Sequence, residues 1–137
     1  MPSWVNSGLF YRAAMQRFKD AKFLLGAPRT TAAVYLAGYG VECILKSLIL
    51  AQVPRSQENE ILARFRGARA HDYDWLLELY SQRGGPRLPS ELDPHFARVN
   101  SWSTRIRYSP VTLKLPEAKA FLASASEILM WGERRLT

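Results

Sequence analysis

The stretch from Thr30 to Gln52 decides what this chain can become. Its residues are apolar on almost every side of a helical wheel, and its only charges, Glu42 and Lys46, sit near the middle. At 1.5 Å per residue a helix over this stretch spans roughly 33 Å, long enough to cross a bilayer. Each central charge costs about 2.5–3.5 kcal/mol on insertion scales. The stretch is therefore expected to be the buried central helix of a bundle rather than a membrane span. Ala33, Ala37, Gly38 and Gly40 are small enough to let a neighbouring backbone approach. Glycine inside a helix costs about 1 kcal/mol against alanine, so close packing or a ligand should offset it. Glu42 and Lys46 stand at i, i+4 in the favourable order for an ion pair. On so apolar a helix they should face each other, a cleft or a dimer interface.

The flanking segments repeat the helical period. Phe10, Ala14, Phe18, Ala21 and Leu25 form a stripe that predicts a helix from Asn6 to Leu25, stopped by Gly26-Ala27-Pro28. A short helix is expected over Ser56–Phe65, broken at Gly67. Another begins at His71-Asp72, with Asp72 as N-cap and Trp75, Leu76, Leu79 and Tyr80 on its apolar face. Arg83-Gly84-Gly85-Pro86 reads as a loop. Ser90 and Asp93 have capping-box spacing and open a helix to about Trp102. Arg105–Lys114 reads as an irregular link interrupted by Pro110. The last helix starts near Pro116 and carries Ala118, Phe121, Leu122, Ala125, Ile128, Leu129 and Gly132 on one face. No strand alternation is present. The expected fold is all-α, an up-and-down bundle of about four long helices plus one or two short ones, in one domain over residues 1–137. An apolar content of 47% suffices for one core in a chain of 137 residues.

Cysteine and histidine usage narrows the chemistry. One cysteine, Cys43, excludes an intrachain disulfide and a cysteine-rich zinc site, and it reads as a small buried hydrophobe. His71 and His95 are the only histidines, so no metal and no cofactor are expected. Met1–Val5 lacks the basic start and apolar run of a secretory leader, and a reducing, cytoplasmic setting is the expectation.

The charge is +7, from 19 basic and 12 acidic residues. Most of the bases are arginine, whose planar fork matches phosphate and carboxylate. RNA, a nucleotide or an acidic protein is one expected partner for such a surface, and plain solvation is the other explanation. Arg105, Arg107 and Tyr108, with Arg98 and Trp102 upstream, combine forks for phosphate with rings for stacking on bases. The same residues also suit an interhelical turn anchored by Tyr108. Arg64, Arg66 and Arg69 either extend this basic surface or form a solvated helix end. Tyr35 and Tyr39 share a face of the central helix and suit core or dimer contacts.

Three segments resemble the HEPN family in order and spacing. Ala33-Val34-Tyr35-Leu36-Ala37-Gly38-Tyr39-Gly40-Val41-Glu42-Cys43-Ile44-Leu45-Lys46-Ser47-Leu48-Ile49 looks like the family's central helix. Ala70-His71-Asp72-Tyr73-Asp74-Trp75-Leu76-Leu77 is similar to the His-Asp-Leu start of a later helix. Arg105-Ile106-Arg107-Tyr108-Ser109-Pro110 resembles the Arg-Tyr-Pro turn before the final helix, with Ser109 inserted. The resemblance implies an up-and-down bundle, often a homodimer. It also implies a place among prokaryotic toxins, antiviral ribonucleases, partners of minimal nucleotidyltransferases, or non-catalytic nucleotide-binding branches. Family ribonucleases carry an Arg-x(4–6)-His motif, and Arg66-Gly67-Ala68-Arg69-Ala70-His71 fits that spacing.

Two readings result. In the first, the chain is a non-catalytic module, a homodimer or the partner of a nucleotidyltransferase-type antitoxin. It binds a nucleotide or RNA phosphate near Lys46, His71, Arg105, Arg107 and Tyr108. In the second it is a metal-independent endoribonuclease toxin using Arg66 and His71. His71 also suits a purely structural place at a helix start.

Overall fold

A computed structural model describes the backbone of residues 4–108 and 112–137 and the side chains of 5–101 and 112–137. Six α-helices appear in it: α1 (Trp4–Gly26), α2 (Thr30–Gln52), α3 (Glu58–Arg64), α4 (Tyr73–Gln82), α5 (Asp93–Tyr108) and α6 (Leu115–Leu136). Short 3-10 turns cover Arg55–Gln57, Ala68–His71 and Ser90–Leu92, and no strand occurs among the described residues. The fold is thus the expected all-α bundle, with α1, α2, α5 and α6 as its long members.

Helix α2 lies at the centre because it has no polar face to offer water. Every residue from Ile44 to Leu50 is buried, and α1, α4, α5 and α6 all pack against it. Among the described residues it is the one helix long and apolar enough to cross a membrane, and most of it is enclosed by its neighbours. The small residues work as close-approach points. A Cβ on Gly40 would stand 3.3 Å from the carbonyl oxygen of Ala14, so the α1 backbone sits directly on α2 there. Further along this seam Ser7 and Ser47 join the two helices. Ser7 Oγ donates to the Ser47 carbonyl at 2.9 Å and Ser47 Oγ donates to the Ser7 carbonyl at 2.7 Å. These bonds satisfy hydroxyls that the core would otherwise strand.

Helix α4 is fixed from both sides of its start. Asp72 accepts from the backbone amides of Asp74 and Trp75, the N-cap its position predicts. The Tyr73 hydroxyl donates to the Gly38 carbonyl at 2.8 Å and so fastens α4 to α2.

Two boundaries differ from the sequence expectation. Ser90 and Asp93 form no capping box. The segment opens as a 3-10 turn whose backbone bond runs from the Asp93 amide to the Ser90 carbonyl. Helix α5 then continues past Trp102 to Tyr108, so Arg105, Arg107 and Tyr108 are helical rather than part of an irregular link. Proline disfavours helix mainly in the residue before it, here Ser109, and leaves Tyr108 free to stay helical. Ser109 and Pro110 lie outside the described residues, as does the turn expected there.

Gly132 of α6 is fully covered, and a Cβ there would meet Ile44 Cγ1 at 2.5 Å. Ile44 is β-branched and stiff, so it cannot turn away cheaply. Gly132→Ala should therefore lower stability by about 1–3 kcal/mol, reversing the usual gain from alanine in a helix. Gly26→Ala has no atom within 4 Å of the new Cβ and serves as the control. Urea unfolding of the two variants checks the contrast. Equal stability for both would mean that the α2–α6 contact is looser than described.

Candidate functional site: a histidine anchored on a buried ion pair

Lys46 is only 6% exposed, in the middle of the core helix. A buried ammonium needs a counter-charge and a soft surrounding. Glu42, one turn back on α2, supplies the first, with its Oε2 2.8 Å from Lys46 Nζ. The rings of Phe10 from α1 and Phe65 just beyond α3 supply the second. Their centroids lie 5.9 and 5.4 Å from Nζ, within cation–π range. The two rings pack edge to face at 5.7 Å, closing the pocket around the ammonium.

The other oxygen of Glu42 faces outward. Its Oε1 lies 2.9 Å from Nδ1 of His71, at the end of the 3-10 turn that leads into α4. A carboxylate paired with an ammonium only accepts hydrogen bonds, so Nδ1 donates. In the neutral ring the lone pair then belongs to Nε2. The His71 side chain is 46% exposed, whereas Glu42 beneath it is 7% exposed. The imidazole is thus an accessible group held from inside the core. Of the sequence candidates, Lys46 and His71 converge on one carboxylate. Lys46 stands behind Glu42 rather than at the surface.

Arg66 is exposed on the short segment between α3 and the turn holding His71, and Arg69 is exposed in that turn itself. The side chains of Arg105, Arg107 and Tyr108 lie outside the described residues. Tyr35 is 45% exposed, and its ring meets Tyr39 edge to face at 5.0 Å on the outer side of α2.

Cys43 neighbours Glu42 in sequence. Burial, reinforced by the Glu42 charge and opposed by Lys46 and Arg17, pushes its thiol up to about 11. The Tyr11 hydroxyl donates to Glu133, and this hydrogen bond chiefly raises the phenol above its ordinary range, with burial adding to it. Among the described residues no three His, Cys, Asp or Glu side chains converge as a metal site requires.

One polar cluster escapes sequence reading altogether. Ser124 of α6 is fully buried, with Arg98 Nη1 donating to its Oγ at 3.1 Å and His95 Nδ1 3.0 Å away. It pins α5 to α6. His95 and Arg98 share a helix face by spacing, but nothing local points to a serine in another helix. No family model, no curated protein and no solved structure matches the chain.

Removing one member of the buried pair strands the other. Lys46→Ala should cost about 3–5 kcal/mol in chemical unfolding, whereas Glu42→Leu combined with Lys46→Met should recover most of that loss. Additive losses in the double variant would show that the two charges do not depend on each other. The thiol of Cys43 titrates about two units above its ordinary value of 9.0. At neutral pH its alkylation should therefore run roughly 100-fold slower than that of a free cysteine, because the thiolate is the nucleophile. Since the folded state holds this proton more tightly, the stability it contributes should be complete below about pH 9 and lost as pH rises through about 11. Iodoacetamide rates and unfolding curves across that range test both statements.

Proposed function

We propose that the chain is a HEPN-like helical module that binds the phosphate of a nucleotide or RNA strand around His71. The observation that carries this reading is the line Lys46–Glu42–His71, in which a buried ion pair holds an exposed imidazole by one nitrogen. The ring is half exposed, and its protonated form would donate to a phosphate oxygen. Arg66 and Arg69, exposed on the same short segment, add guanidinium donors, and the net charge of +7 favours a polyanion at longer range. Lys46 acts through Glu42 as a positioning residue. Arg105, Arg107 and Tyr108 belong to the proposed site on their residue types and on the resemblance alone.

The resemblance extends the proposal to partners. A homodimer, or a complex with a nucleotidyltransferase-type antitoxin in a cytoplasmic toxin–antitoxin or defence system, is the arrangement that the resemblance implies. Exposed Tyr35, packed against half-buried Tyr39 on the central helix, supports such a contact face, since large apolar groups left uncovered commonly mark interfaces.

One feature favours a second reading, in which the chain is a metal-independent endoribonuclease. A general base needs a fixed tautomer, and the Glu42–His71 bond provides one. His71 Nε2 would take the proton of the 2′-hydroxyl as its oxygen bonds to the adjacent phosphorus. The bond from phosphorus to the 5′-oxygen would break, that oxygen would leave with a proton from the imidazolium or water, and a 2′,3′-cyclic phosphate would remain. Arg66 would stabilise the charge that develops on the phosphate.

Labelled RNA titrated across a salt series separates these outcomes. Loss of a charge-assisted bond should make His71→Ala bind at least tenfold more weakly. Arg107→Ala should reduce the salt slope by about one. Binding that survives high salt and ignores both changes rejects the site. Cleavage of the same RNA in EDTA, abolished by both His71→Ala and Arg66→Ala, would replace the binding module with the ribonuclease.

A further inference from the structure

Three guanidinium groups on the segment leading to His71 have no acidic partner among the described residues. Arg64 ends α3, Arg66 follows it, and Arg69 lies in the 3-10 turn Ala68–His71. All three are exposed, and none forms an ion pair among the described residues. Arg83, at the far end of α4, is different. It donates to Gln57 Oε1 at 2.7 Å and to Glu60 Oε1 at 3.0 Å. Arg83 is thus neutralised where it ties α4 to the preceding segment, whereas Arg64, Arg66 and Arg69 form no ion pair among the described residues.

Two of them, Arg64 and Arg69, frame a cleft. The Arg64 guanidinium lies over the indole of Trp75 at 5.4 Å from its centroid. Together with Arg69, Glu78 and Gln82 they line a depression of about 170 Å³ between α3 and α4. Pockets that enclose whole drug-sized ligands measure about 300–1,000 Å³. A volume of about 170 Å³ leaves room for a single planar ring at most, with the rest of such a molecule outside. Indole and guanidinium planes are the surfaces on which unstacked bases settle. The sugar–phosphate left outside then meets Arg66 and Arg69, and the chain carries these directly to His71.

The rim adds a preference. Glu78 receives Gln82 Nε2 on Oε1 at 3.4 Å. A carboxylate accepts and never donates, so it suits a base edge that offers an amine, as cytosine N4 does, over one that offers a carbonyl, as uracil O4 does.

We infer that the cleft formed by Arg64, Arg69 and Trp75 is a base-stacking subsite for single-stranded RNA, selective for a base with an exocyclic amine at Glu78. The inference rests on the reading of His71 as a phosphate ligand and extends that site by one nucleotide.

The test is fluorescence anisotropy on the full chain with short labelled oligocytidine and oligouridine at one salt concentration. Oligocytidine should bind more tightly. Arg64→Lys keeps the charge and removes the stacking plane, so it should weaken oligocytidine roughly tenfold while leaving the salt slope unchanged. Glu78→Gln should bring the two oligonucleotides together. Circular dichroism melts establish that each variant is folded. Wild-type affinity in Arg64→Lys, or an unchanged preference in Glu78→Gln, overturns the subsite. If oligonucleotides bind and His71→Ala weakens them while Arg64→Lys does not, the subsite alone is wrong. If folded wild-type protein binds neither oligonucleotide, the phosphate reading of His71 falls and takes the subsite with it. Displacement of oligocytidine by polyglutamate of equal charge assigns the cleft to an acidic protein instead.

Discussion

The ammonium of Lys46 lies among two phenyl rings and one carboxylate, inside the helix against which α1, α4, α5 and α6 all pack. An apolar pair in its place would serve stability at least as well, because desolvating two charges offsets most of their attraction. What the ion pair provides is direction. Lys46 occupies one oxygen of Glu42 and thereby turns the other toward the surface. His71 hangs from that second oxygen. The orientation of an exposed imidazole is therefore set from the core, by two buried residues.

The segment from Arg55 to His71 shows the same logic on a larger scale. It contains one short helix and two 3-10 turns, none long enough to be stable alone. It is held at one end by Arg83, which reaches Gln57 and Glu60, and at the other by the His71–Glu42 bond. Between them Phe65 and Ile61 insert into the core. Asn6 of α1 adds a hydrogen bond to the buried Glu58. Arg64, Arg66 and Arg69 are thus displayed on a fastened strap rather than on a free loop.

Legibility from sequence follows the range of each interaction. The long helices are readable because their apolar period is local, as in Phe121, Leu122, Ala125, Ile128 and Leu129. The Glu42–Lys46 pair is readable because i, i+4 neighbours on a helix must meet. The close approach at Gly40 is visible as a small residue in a helix that should not favour one. The end of α5 is misread because Pro110 suggests an earlier stop than its steric reach requires. The approach of His71 to Glu42, of Arg64 to Trp75 and of His95 to Ser124 leaves no mark in the sequence. Each pair belongs to different elements, and only packing decides that they touch. The resemblance to HEPN points to His71, yet it does not reveal the carboxylate beneath it.

Leu113, in the link before α6, closes the other end of the molecule. Thr30 Oγ1 donates to its carbonyl at 2.6 Å, and its amide donates to Thr31 Oγ1 at 3.2 Å. The first turn of the central helix is therefore completed by a residue from the last quarter of the chain. During synthesis, α1 and α2 can pair soon after they emerge, because their contacts are near neighbours in sequence. The start of α2 and its α6-facing side stay uncovered until Leu113 and α6 have been made, at about 5–20 residues per second. For that interval the most apolar surface in the protein is open to water and to other nascent chains. The exposure of this surface to aggregation is thus written into the order of the helices, and it lasts until α6 emerges from the ribosome.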